Sequence, residues 1–60
     1  MKKEEFEKQL ALLGIKARED KRFGMSAIYN STTNEVTYNP RLMSDKKMAE
    51  IYQYFAKKRD

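Results

Sequence analysis

The sequence predicts an α+β fold: a helix, a two- or three-stranded antiparallel sheet with a β-hairpin at 24–39, and a C-terminal helix. Apolar residues recur at helical spacing near both ends, and a turn-like segment separates two strand-like segments in the middle. At 60 residues the chain has room for one domain, over residues 1–60. We expect both helices on one face of the sheet, because α+β layers bury their apolar stripes in that way.

The first helix is predicted over 3–13. Phe6 and Leu10 fall on the same helical face, which indicates the side that turns to the core. Gly14 suits the left-handed residue that commonly ends a helix. Ile15 then stands where a Schellman motif brings it against Leu10.

The segment 15–22 has two interpretations. Ile15 and Ala17 alternate with Lys16 and Arg18, which is typical of a short edge strand. Charged side chains on such a strand deter pairing with other chains. A loop is equally compatible with this composition, so the sequence leaves the choice open.

The hairpin has a predicted register. If 31–34 form the loop, Asn30 lies opposite Glu35, and a shift of one residue would break this pairing. The residues then expected on the helix-facing side are Met25, Ala27, Tyr29, Val36 and Tyr38. Ile28 is expected on the opposite face, which stays open unless a partner covers it.

The second helix is predicted to begin after Ser44, which suits an N-cap. Pro40 ends the preceding strand, because proline cannot donate to a ladder. Met43 and Met48 have the spacing of a hydrophobic staple around the cap. The predicted buried stripe of this helix consists of Met48, Ile51, Tyr52 and Phe55.

The composition argues against an enzyme. The chain has no histidine and no cysteine, which removes the usual general base, the usual thiolate nucleophile and the main zinc ligands. We therefore expect no catalytic residues, no cofactor, no metal and no small-molecule substrate. The charged start lacks the apolar run of a signal peptide, and no segment has the length of a membrane span, so a cytoplasmic location is expected.

The leading functional hypothesis is a small protein-binding regulator: an inhibitor, adaptor or accessory subunit, of a kind common in phage and prophage genes. A domain this small is marginally stable alone, so its partner is expected to be a larger protein or a second copy in a homodimer. Tyr54 and Lys58 touch at i and i+4, which makes an exposed aromatic anchor; the alternative is a half-buried ring over the sheet edge. The predicted partner-binding residues are Lys47, Tyr54, Lys58, Ile28 and Leu12.

The alternative hypothesis is nucleic-acid binding. The net charge is +4, and its surplus lies within 16–22 and 44–60. The start of the second helix could hold a phosphate, although Asp45 already places a negative charge there and favours ordinary capping. The basic residues of this alternative are Lys16, Arg18, Lys21, Arg22, Arg41, Lys46 and Lys47.

The element order, with Lys46 and Lys47 followed by Ala49 at the start of the last helix, resembles the double-stranded-RNA-binding domain. In that family such lysines grip phosphates across the major groove, so the resemblance implies the same contact here. The chain departs from the family pattern in three places, the first of which is a weak first strand. The chain also has no Gly-Pro loop with a histidine between the first two strands, and an aromatic 51–55 replaces the alanine-rich final helix.

Overall fold

The computed structural model describes residues 1–58 and confirms the α+β fold. Along the chain, one helix precedes and one helix follows the segments of a three-stranded sheet. The two helices contact each other, and the first also contacts the first strand. Residues 59–60 lie outside the described part of the chain. The elements are α1 (Lys3–Leu12), β1 (Lys16–Glu19), β2 (Ala27–Asn30), β3 (Glu35–Tyr38) and α2 (Asp45–Lys58).

The sheet is mixed rather than purely antiparallel. Its strand order is β1-β3-β2, with β2 antiparallel and β1 parallel to β3. The expectation of an antiparallel third strand is therefore wrong. After β1 the chain crosses to the far side of β3 before forming the hairpin, so β1 and β3 run in the same direction. This pairing also departs from the antiparallel sheet of the double-stranded-RNA-binding resemblance.

The predicted hairpin register is confirmed. Asn30 pairs with Glu35 and Ile28 with Thr37, so 31–34 form the loop. Asn34 closes it in the left-handed conformation, at φ 58°. Its side-chain amide donates to the Gly14 carbonyl, and its carboxamide oxygen accepts from the Tyr29 hydroxyl at 2.6 Å. The hairpin loop is thereby tied to the end of α1.

The local motifs predicted at the two helix boundaries are present, and α1 ends at Leu12, one residue earlier than predicted. Gly14 has φ 81°, and the Ile15 N–H donates to the Leu10 carbonyl at 2.9 Å, as in a Schellman motif. At the start of α2 the Ser44 hydroxyl accepts from the Lys47 N–H at 3.0 Å. These two local motifs set where each helix meets the sheet.

The core lies between the helices and the inner face of the sheet. Phe6 packs edge-on against Tyr38 with ring centroids 5.3 Å apart, and both side chains are fully buried. The Tyr38 hydroxyl donates to the Glu7 carboxylate at 2.5 Å. Burial and this carboxylate raise the pKa of Tyr38. The buried apolar residues are Phe6, Leu10, Ile15, Val36, Tyr38, Met48 and Phe55.

Asn39 is the buried polar residue that holds the crossing segment 20–26 in place. Its side-chain amide donates to the carbonyls of Phe23 at 2.7 Å and Lys21 at 3.3 Å. Its carboxamide oxygen accepts from the Arg41 N–H at 2.9 Å. One side chain thus satisfies backbone groups of the crossing segment and of the turn after β3, and it ties these two parts of the chain together.

Candidate functional site: a groove between β2 and α2

The strand β2 is an edge strand, since among residues 1–58 it pairs with β3 alone. The Asn39 N–H donates to the Ser26 carbonyl at 3.0 Å, which marks these two residues as a hydrogen-bonded pair of the antiparallel ladder. Hydrogen-bonded and non-hydrogen-bonded pairs alternate along such a ladder. The backbone groups of Ala27 and Tyr29 therefore point away from β3, towards the open edge.

A groove of about 310 Å³ runs between this edge and α2. Three of the five predicted partner-binding residues lie in it, namely Ile28, Lys47 and Tyr54. The sequence predicts Ile28 on the open face; at the strand edge its half-exposed side chain also reaches the groove. The full lining is Ala27, Ile28, Tyr29, Val36, Lys47, Glu50, Ile51, Tyr54 and Phe55.

Tyr54 forms the outer wall of the groove. Its side chain is 56% exposed and packs edge-on against Phe55, with ring centroids 5.3 Å apart. The Lys58 ammonium lies 5.2 Å from the centroid of the Tyr54 ring, so these two residues touch as their spacing predicts. Phe55 in turn contacts Tyr29, with centroids 4.9 Å apart. The buried Phe55 ring thus contacts both Tyr54 of α2 and Tyr29 of β2, so three aromatic rings are in contact from helix to strand.

The other two predicted residues lie outside the groove. Lys58 lines a neighbouring depression beside Tyr29 and Asn34. Leu12 is 71% exposed on α1 and lines no part of the groove. The geometry therefore separates Leu12 from the other candidates and leaves it as an isolated apolar residue on the surface.

The charges that line the groove cancel. Lys47 and Glu50 contribute one charge of each sign, while the remaining lining is apolar apart from the hydroxyls of Tyr29 and Tyr54. Such a lining suits an uncharged protein segment with apolar side chains better than a phosphate or an acidic chain. Within residues 1–58 no group of three or more Asp or Glu side chains is placed to hold a metal ion.

The two edges of the sheet differ in charge. On β1 the residues Lys16, Arg18 and Glu19 are charged, and Glu7 and Glu35 also line the depression beside this edge. On β2 the sequence Ala-Ile-Tyr-Asn carries no charge. Charged side chains are a common protection against edge-to-edge pairing, and β2 lacks this protection.

The basic residues of the nucleic-acid alternative fall into separate groups. Lys16 and Arg18 lie on β1, on the open face of the sheet. Lys21 and Arg41 are brought to one end of the molecule, because their backbones bond to the same Asn39 side chain, and Arg22 follows Lys21 there. Lys46 and Lys47 stand in the first turn of α2.

Carboxylates lie among these basic groups. Glu19 bonds to Lys3 at 2.8 Å and lies 3.9 Å from Lys21. The hydrogen bond with Lys3 lowers the pKa of Glu19, and the same bond raises the pKa of Lys3. Asp45 pairs with Lys2 at 3.3 Å beside the start of α2. The positive surface is therefore interrupted where a phosphate backbone would need it to be continuous.

Sequence reasoning missed two features of the groove. The sequence does not indicate Glu50, and it indicates Ala27 only as a helix-facing residue of the hairpin, because the groove forms between two segments that are far apart in the chain. One signal was available in the sequence. The β2 segment contains no charged residue, whereas most of the other surface segments contain several.

The comparisons with known proteins found nothing similar to this chain: no family model, no curated protein and no solved structure matches it. Within residues 1–58 neither helix has the length and apolar character needed to cross a membrane.

Proposed function

We propose that this protein is a non-enzymatic protein-binding regulator, an inhibitor, adaptor or accessory subunit, whose docking surface is the groove between β2 and α2. The single observation that carries the proposal is the meeting of Ile28, Lys47 and Tyr54 around one apolar groove. Exposed aromatic side chains in a partly desolvated pocket are typical anchors of protein interfaces.

The character of the lining supports a protein segment as the ligand. Val36 and Phe55 are buried at the base of the groove, and Tyr54 stands exposed at its wall. A segment that enters covers apolar surface on both partners, which is the main favourable term in protein association. Lys47 and Glu50 at the rim then fix the orientation more than the affinity.

A peptide selection tests the proposal. A library of random peptides displayed on phage is selected against the folded protein, and enriched peptides are measured by isothermal titration calorimetry. We expect Tyr54→Ser to weaken binding about tenfold or more, since an interface anchor contributes about 2 kcal/mol.

Leu12→Ser is the matched control, because it also removes an exposed apolar side chain but lies outside the groove. It should leave the affinity within about twofold of that of the parent protein, as expected of a residue outside the interface. Peptides that bind both variants alike, or a selection that enriches nothing, would contradict the proposal.

The second candidate function is nucleic-acid binding at the end that holds Lys21, Arg22 and Arg41. It is supported by the convergence of the segments that carry these residues on Asn39. A fluorescently labelled RNA duplex titrated at two salt concentrations tests it by anisotropy. Binding through phosphates weakens steeply as salt rises, and Arg22→Gln with Arg41→Gln should reduce that salt dependence. No change in anisotropy at low salt rules this candidate out.

A further inference from the structure

We propose that the chain segment that occupies the groove edge is β2 of a second copy, so that two molecules join their sheets across a two-fold axis at Ile28. The inference rests on the proposed function, since it names the protein segment that the groove takes. The result is an isologous dimer with one continuous six-stranded sheet, in which the same surface serves both partners.

The backbone geometry of β2 permits this pairing. Ala27 and Tyr29 present their N–H and C=O groups at the open edge, because Ser26 and its alternate neighbours bond to β3. An antiparallel copy related by a two-fold axis places Ala27 opposite Tyr29 of the second copy. Both residues then exchange hydrogen bonds across the axis, and each copy supplies the same set.

The side chains also match across the axis. Ile28, half exposed in the single chain, lies opposite Ile28 of the second copy as a non-hydrogen-bonded pair, where side chains are closest. On the helix-facing side Tyr29, 40% exposed, lies beside the small Ala27 of the second copy. Pairing about this axis therefore covers the exposed apolar side chains of β2. On the helix-facing side no two large side chains lie opposite each other.

The charges favour a second copy over a charged partner. Lys47 and Glu50 line the groove with one charge of each sign, so two identical grooves meet without a net repulsion. The strand itself carries no charge, whereas the opposite edge of the sheet has Lys16, Arg18 and Glu19. Only the β2 edge is left suited to pairing, and a domain of this size gains stability from it.

The experiment is sedimentation velocity of the full chain over a dilution series, with Ala27→Pro as the test variant. Proline removes the outward N–H of residue 27, which is absent from the ladder with β3, and edge strands tolerate it. Two intermolecular hydrogen bonds are lost per dimer, so we expect the dissociation constant to rise roughly tenfold or more.

Ala17→Pro is the matched control at the other edge. The Lys16 and Asp20 N–H groups donate to β3, so the N–H of Ala17 points outward on β1 as that of Ala27 does on β2. This variant should change the dissociation constant less than about twofold if β1 takes no part in the contact. Circular dichroism checks that both variants fold.

A second pair of variants tests the axis without proline. Ile28→Lys places two like charges opposite each other at the axis, which is unfavourable in a cross-strand pair, and should yield monomers. Leu12→Lys adds the same charge on α1 and should leave the dimer intact.

A chain that is monomeric at every concentration, or a dimer weakened by Ala17→Pro instead of Ala27→Pro, overturns the inference. If a monomer still binds selected peptides in a Tyr54-dependent manner, the proposed function stands and the second copy is excluded as the occupant.

Discussion

At the scale of single residues, Asn39 shows how one buried amide determines a connection. It both donates and accepts: its amide nitrogen donates to the Lys21 and Phe23 carbonyls, and its oxygen accepts from the Arg41 N–H. Neither a carboxylate nor an aliphatic side chain can fill both roles. Asn39 therefore fixes the backbone of the crossing segment and of the turn after β3 at the same time.

Asn39→Asp should destabilise the protein by about 3 kcal/mol, because a carboxylate oxygen would face two carbonyl oxygens in a buried site. That is a large part of the roughly 3–9 kcal/mol expected for a domain of this size. Urea denaturation followed by circular dichroism measures the change. Asn30→Asp is the matched control, since the hydrogen bonds of the exposed Asn30 side chain are accepted by its oxygen, from the Thr32 N–H at 2.9 Å and the Thr33 N–H at 3.4 Å, and an aspartate can accept them too. Equal losses in the two variants would contradict this account of Asn39.

Because of Tyr38, we expect the unfolding free energy to fall at alkaline pH. The pKa of Tyr38 is raised by burial and by Glu7, so the folded protein holds the phenol proton more tightly than the unfolded chain does. This contribution is fully present below the ordinary tyrosine pKa of about 10, and it is lost as pH rises above that value. Tyr38→Phe should therefore flatten the decline of unfolding free energy at high pH.

The comparison that isolates Tyr38 is Tyr54→Phe, which removes a hydroxyl from a ring that is 56% exposed. Lys3, whose pKa is also raised, is present in both variants, so its own alkaline contribution cancels. Denaturation midpoints are measured from neutral to alkaline pH. A slope for Tyr38→Phe as steep as that of the parent would show that the buried phenol is not the cause.

At the scale of elements, the ends of the helices depend on local backbone chemistry. Gly14 is held at φ 81°, a conformation that costs a residue with a Cβ about 1 kcal/mol. Gly14→Ala should lower the unfolding free energy by that amount. Gly24→Ala should cost nothing or stabilise slightly, because Gly24 has no positive φ and no atom within 4 Å of an added Cβ. Thermal denaturation measures the difference, and equal melting temperatures for the two variants would contradict this expectation.

Most of this element-level structure could be predicted from the sequence. The apolar stripes, Gly14 and Ser44 act within a few residues, so their effects are visible in the local pattern. The hairpin register also followed from its loop, since 31–34 leaves only one pairing that keeps Tyr29 and Val36 on the same face.

The direction and the partner of β1 could not be predicted in the same way. Alternation along 16–19 indicates a strand, but it contains no signal that distinguishes a parallel from an antiparallel neighbour. That choice depends on the crossing segment and on Asn39, whose bonds span sixteen and eighteen residues. The groove was missed in part for the same reason: its walls come from β2 and α2, and the sequence points to single residues of each but not to their meeting.

At the scale of the whole molecule, one core joins all five elements. The buried cluster takes residues from α1, β3 and α2, and the partly buried Ala17 of β1 and Ala27 of β2 pack against it. Among the described residues, one buried apolar cluster is found, so no element has a second cluster that would hold it after the others detach. Unfolding should therefore be cooperative.

The test compares two optical signals in the same urea titration. Far-UV circular dichroism reports mainly the helices, and near-UV circular dichroism reports the packing of tyrosines such as Tyr29 and Tyr38. We expect the two transitions to superimpose, as a two-state process requires. Helical signal that persists after the tyrosine signal has gone would reveal a partly folded state and contradict the single core.

The mixed sheet also has a consequence for synthesis on the ribosome. The middle strand of the sheet, β3, is the last of the three to be made. Until it emerges, both β1 and β2 lack the neighbour that completes their hydrogen bonds, and the core lacks Val36 and Tyr38. A nascent chain that stops before residue 35 therefore contains the segments of β1 and β2 without the strand that joins them into a sheet, and we expect the domain to fold in one late step, after β3 and α2 have been made.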